Sequence, residues 1–153
     1  MKHLNDLQIG VAGEYLVCAD LILKGNISFL SEQGLPYDAI LDYNGNILKV
    51  QVKTTRGYKN IPQRKKDIPA YIFHIGINGK NNCRKKYNKK EVDIFALVDL
   101  DTRNIAYLPF FDTKTTMNFR VPKFRGEYHD EQGVKLKKIV SDLKSKGKII
   151  FLS

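Results

Sequence analysis

Asp38, Gln51 and Lys53 are the residues of this chain whose types and spacing could do chemistry together. They flank the dipeptide Asn44-Gly45, and the runs on either side of it alternate between apolar and polar residues. Asn-Gly between two such runs is the strongest short-range signal for a β-hairpin with a two-residue turn. With Asn44 and Gly45 as the turn, Tyr43 faces Asn46 and, counting outward, Asp38 faces Gln51. Facing side chains share one surface, with Cβ atoms roughly 4.5–5.5 Å apart. Lys53, two residues beyond Gln51, points to the same surface. The hairpin therefore gathers a carboxylate, a carboxamide and an amine. A divalent cation and a scissile phosphate could use that set.

The elements that must position these groups can be read around the hairpin. Asn5 and Gln8 have the spacing of a capping box, and the stripe Leu7, Val11, Tyr15, Cys18, Ile22 has helical period, with Gly25 as its stop. Glu14 lies beside that stripe, where a charge needs a partner. Gly10 and Gly13 next to it weaken a helix by propensity, so close approach to another backbone is the expected compensation. Strands are predicted over 27–30, 37–43, 46–54, 70–77, 92–100, 105–109 and 148–152. Asp101 to Asn104 reads as a turn. Asp130 is the predicted N-cap of a second helix, with Glu131 in its first turn, Val134, Leu136, Ile139, Val140 and Leu143 as its apolar positions, and Gly147 as its end. Residues 112–128 carry no clear period. Helix, several strands, helix implies an α/β chain of the α+β kind, a mixed sheet flanked by helices, and 153 residues imply one domain.

Charge is unevenly spread. The chain carries a formal net charge of +10. Residues 54–90 hold eleven Lys or Arg against the single acid Asp67, which accounts for the whole excess. A polyanionic partner follows. Arg56, Lys59, Gln63, Arg64, Lys65 and Lys66 form one group, and Lys80, Asn81, Arg84, Lys85 and Lys86 a second. Arg and Lys neutralise phosphates, while Arg, Gln and Asn also read base edges. The same lysines could simply be a solvated surface, as Lys49, Gln51 and Lys53 could be the outer face of an amphipathic strand. Two cysteines and three scattered histidines give no zinc site. No run of about 18 apolar residues is present, and the N-terminus has no signal-peptide core. A cytoplasmic, reduced setting without membrane attachment is expected.

Taken in order, helix glutamate, strand aspartate and a triplet ending in lysine resemble the PD-(D/E)XK nuclease superfamily. Val11-Ala12-Gly13-Glu14, Leu35-Pro36-Tyr37-Asp38-Ala39-Ile40 and Val50-Gln51-Val52-Lys53-Thr54-Thr55 look like the group I intron-encoded homing endonucleases of restriction-enzyme fold, of the cyanobacterial tRNA-intron type. Val92 to Ala96 and Ala106 to Pro109 resemble that family's later strands, so the likeness spans about residues 5–110. Two positions depart from it. Tyr37 separates Pro36 from Asp38, and Gln51 stands where an acid is usual, leaving two carboxylates rather than three.

The resemblance implies a restriction-endonuclease-like core and a site-specific endodeoxyribonuclease cutting both strands. Asp38, Glu14 and Gln51, with the Val52 carbonyl, would hold Mg²⁺ or another divalent cation such as Mn²⁺. Such an ion polarises the phosphate and acidifies water. Lys53 would orient or deprotonate the attacking water, or offset transition-state charge. Residues 54–90 would hold double-stranded DNA, and cutting both strands would call for a homo-oligomer, a dimer or dimer of dimers. Two alternatives stand beside it. A Holliday-junction resolvase would read shape instead of sequence. A non-catalytic nucleic-acid-binding protein that kept the fold would explain Gln51.

Overall fold

The computed structural model describes residues 3–78, 84–111, 116–128, 130 and 132–147. The predicted strand over 148–152 and the residues Lys80, Asn81, Cys83, His129 and Glu131 lie outside them. The helix α1 (Asp6–Leu23) starts at Asn5, whose side chain caps Gln8 N–H while Gln8 caps the Asn5 N–H. β1 (Ile27–Leu30), β2 (Ala39–Tyr43) and β3 (Asn46–Thr55) follow. Asn44 and Gly45 both have positive φ, 52° and 83°, the geometry of the tight turn that matches strand twist. Tyr43 therefore faces Asn46, and Ala39 faces Val50.

β8 (Ile94–Asp99) runs parallel to β3, and β9 (Asn104–Pro109) returns antiparallel beside it. The result is a mixed five-stranded sheet in the order β1-β2-β3-β8-β9. Every residue of β8 is buried, as expected of a strand covered on both faces. On one face lie α1 and α3 (Val134–Ser145), packed on Leu41, Leu48, Val50, Val52, Ile94, Ala96 and Val98. The opposite face, through Phe95, Leu97 and Ala106, meets an aromatic cluster of Tyr71, Phe73, Phe119 and Phe124. That cluster belongs to β5 (Ile68–His74), β10 (Thr116–Arg120) and α2 (Val121–Gly126). β5 pairs with β10 and with β4 (Lys59–Ile61) to form a separate three-stranded sheet. β6 (Ile77–Asn78) and β7 (Arg84–Lys85) pair with each other. Among the described residues no helix is long and apolar enough to cross a membrane.

Several expectations are corrected. The buried face of α1 is Gly13, Val17, Cys18 and Leu21; Leu7, Val11, Tyr15 and Ile22 are exposed. Gly13 is the reason. A Cβ there would lie 2.9 Å from Thr54 Cβ and Cγ2 and overlap Thr54 Oγ1. The helix docks on β3 through the residue with no side chain, which turns the Leu7–Val11–Tyr15 row outward. The strand predicted over 70–77 occupies 68–74. The unassigned stretch contains β10 and α2. The N-cap of α3 is Gly133, not Asp130. Asp130 nonetheless accepts hydrogen bonds from the Lys135 and Leu136 N–H groups with both oxygens. Val134 is exposed, while Leu136, Ile139, Val140 and Leu143 cover the sheet and offer no free interface.

Candidate active site

Asp38 sits one residue before β2, and its N–H donates to the Val50 carbonyl at 2.9 Å, which extends the hairpin ladder. Its Oδ2 accepts the Val52 N–H at 2.8 Å and a second hydrogen bond from Gln51 Nε2. The Asp38 carboxylate is thus fixed to the backbone of β3 and to the side chain facing it. The preceding loop is tied down by Ser31, whose N–H donates to the Asp38 carbonyl at 2.9 Å. Gln51 is buried. Its Nε2 donates to Asp38 and, at 3.3 Å, to the Val52 carbonyl.

Lys53, half-buried, donates to Tyr87 Oη at 3.0 Å, with its Nζ 5.1 Å from the Tyr87 ring centroid. Tyr87 packs edge-on against Phe95 of the central sheet. In the sequence Tyr87 is an aromatic interleaved with lysines, with no sign of a link to Lys53. Only the fold, which carries the chain back past β3, reveals the contact.

The charges strain one another. Burial, then the Asp38 charge, raises the Glu14 carboxyl above its ordinary value. Burial raises Asp38 too, against the Val52 N–H, Lys53 and Gln51, which oppose it. Burial lowers Lys53, and Asp38 resists. Two carboxyls pushed toward protonation are what a cation between them would relieve. The available donors, carboxylates, an amide oxygen and a peptide carbonyl, are hard oxygens suited to Mg²⁺ or Mn²⁺. Among the described residues no three His, Cys, Asp or Glu side chains cluster at ligand spacing. Asp38 and Glu14 would be the charged donors to such a cation.

A cavity of about 260 Å³ opens beside Lys53, lined also by Thr54, Thr55, Gly57, Lys59, Ile72 and His74. Lys59 thus lines the same cavity as Lys53. Gln63, Arg64, Lys65 and Lys66 are exposed in the connection between β4 and β5, and Lys85 and Lys86 are exposed around β7. Arg56 is engaged: its Nε donates to Asp101 at 3.0 Å. Arg84 lies on β7. Next to this groove, Asp99 is fully buried and accepts from Gly57 N–H at 3.0 Å, Asp101 N–H at 3.3 Å and the Thr102 hydroxyl. It fixes the chain as it leaves β3. In the sequence Asp99 is one acid in an otherwise largely apolar run over 92–100.

A family profile described as PD-(D/E)XK endonuclease matches residues 4–133. Among solved structures, the chain is similar to a bacterial homing endonuclease, I-Ssp6803I, at a TM-score of 0.64 and 17% identity, over 90% of this chain and 97% of that one. No curated protein sequence matches it.

Proposed function

The chain belongs to the PD-(D/E)XK endonuclease family, and from that premise we propose that it is a site-specific, divalent-metal-dependent enzyme that cuts both strands of duplex DNA. The observation that carries the reading is the joined placement of Asp38, Gln51 and Lys53, with Glu14 close enough to Asp38 to feel its charge. Asp38 and Glu14 would hold the cation, with Gln51 Oε1 and the Val52 carbonyl as neutral donors. When bound, the ion supplies Lewis-acid polarisation of the phosphate and a more acidic water. Lys53 holds the attacking water or neutralises charge gathering on the phosphate, and its hydrogen bond to Tyr87 aims it. Burial lowers the affinity of Lys53 for a proton, the direction a general base needs.

The name of the similar structure, a homing endonuclease, supports cleavage at one defined insertion site over general degradation. Two antiparallel strands cut at a fixed stagger call for two sites related by a two-fold axis. The exposed Leu7, Val11 and Tyr15 on α1, spaced to form one row, support a second copy as the partner. Gln51 favours a second reading, a DNA-binding protein without catalysis. Incubation with random duplex, candidate intron-insertion sites and four-way junctions, with Mg²⁺ or Mn²⁺ and with neither, separates the readings. Cation-dependent cutting of one duplex site supports the proposal. Cutting junctions alone points to a resolvase, and binding without cutting to the second reading.

A further inference from the structure

The three-stranded sheet has an inner face in the core and an outer face that the core does not use. Along β5 and β10, Tyr71, Phe73 and Phe119 point inward. By strand alternation, Asn118 and Arg120 point outward, both exposed. Arg120 faces Ala70, and Ala70 faces Lys59 on its other side. A depression of about 200 Å³ beside Ala70 is lined by Ile61, Gln63, Ile68, Asn118 and Arg120. Among the described residues neither Lys59 nor Arg120 is in an ion pair.

We propose that this outer face lies in the major groove of the DNA duplex, with Asn118 and Arg120 reading bases. The inference rests on the endonuclease reading for its choice of DNA, and three observations support it. The first is charge: Lys59, Arg120 and the neighbouring Arg64, Lys65 and Lys66 confront one acid, Asp67. The second is continuity, because Lys59 also lines the cavity that contains Lys53. A duplex seated on this face runs on toward the candidate catalytic groups. The third is dimension. β10 is an edge strand, and with β5 it makes a two-stranded ribbon, the element that a major groove about 12 Å wide admits. Residues two apart on a strand are separated by about 6.8 Å, which is two steps of about 3.4 Å along DNA. Arg pairs with guanine O6 and N7, and Asn with adenine N6 and N7. Arg120 and Asn118 should therefore specify positions two base pairs apart. Both lie outside the basic stretch 54–90, where sequence alone placed the DNA contacts.

Selection from a pool of randomised duplexes, using the full chain in EDTA, tests this. The wild-type chain should enrich a motif. Arg120→Ala should relax one position of it by about 5- to 150-fold, and Asn118→Ala a position two base pairs away by a similar factor. The pair Lys137→Ala, Lys138→Ala, exposed on α3 across the central sheet, should leave the motif intact. An unaltered motif in both single variants, relaxed positions at another spacing, or no motif from the wild-type chain overturns the inference. Cleavage of a plasmid carrying the selected motif by the wild-type chain in Mg²⁺ is scored separately. A chain that selects the motif without cutting loses the endonuclease reading and keeps this one.

Discussion

Replacing Gly13 with alanine should damage catalysis through a methyl group that touches no substrate. An added Cβ would sit 2.9 Å from both Thr54 Cβ and Cγ2, with Oγ1 closer. Rotating Thr54 about χ1 moves Oγ1 and Cγ2 but leaves Cβ in place. Ordinary carbon contacts are about 3.5–4.0 Å, so α1 must retreat by roughly 0.6–1 Å. Two effects on stability then compete. Alanine gains about 1 kcal/mol of helix propensity over glycine, and overpacking costs about 1–3 kcal/mol. The net is a loss of roughly 0–2 kcal/mol, or a fall in Tm of up to about 8 °C for a chain of this size. Glu14, the next residue, moves with the helix, and a displacement near 1 Å can cost about 100-fold in rate. The effect on cleavage should therefore exceed what the loss of folded protein explains. Gly10→Ala is the control: nothing lies within 4 Å of its added Cβ, so it should gain about 1 kcal/mol and cut normally. Thr54→Ala, which removes a buried hydroxyl with no partner among the described residues, should partly rescue Gly13→Ala. Urea unfolding and single-turnover cleavage measure both quantities. A Gly13→Ala variant stabilised like Gly10→Ala and cutting at the wild-type rate would refute the docking argument.

Other predictions follow from the charges. Hydrogen bonds from Thr102, Gly57, Tyr71 and Asp101 outweigh burial and hold the Asp99 carboxyl below its ordinary value. Its contribution is therefore complete above the unfolded carboxylate range and lost as pH falls toward the folded value. Asp99→Asn should cost about 1–3 kcal/mol at neutral pH and flatten the acid limb of stability, read as urea midpoint against pH. Glu14 has the opposite sign. Its folded value is raised, so it weakens the metal-free fold above that value and ceases to do so below the unfolded value. Glu14→Gln should raise Tm in EDTA at neutral pH and reduce the further rise given by Mg²⁺; a lower Tm in EDTA would contradict this. Gln51→Glu adds a third carboxylate and should lower the Mg²⁺ concentration that gives half-maximal stabilisation. An unchanged titration would remove Gln51 from the cation.

What the sequence made legible was local or short-range. Asn44-Gly45 sets the hairpin register, and the register alone brings Asp38 to Gln51. Hidden features depended on distant partners. The orientation of α1 turns on Gly13, which carries no hydropathy, meeting Thr54 some forty residues away. β10 reads as mixed polar sequence because its mate β5 lies more than forty residues upstream and only its inner face is apolar. Tyr87 shows no motif at all and acquires meaning only from the amine it accepts. Asp130 reads as the N-cap in the sequence, but Gly133, in the left-handed region at φ 71°, starts the helix three residues later.

Lys53 is where catalysis at this site is tested most directly. Lys53→Ala removes the amine and leaves Asp38, Glu14 and the exposed basic surface in place. Single-turnover cleavage of the cognate duplex in Mg²⁺, with affinity for the same duplex measured in EDTA, is the decisive pair of readings. Cleavage should be lost while affinity is retained. Full turnover by Lys53→Ala would contradict the catalytic assignment.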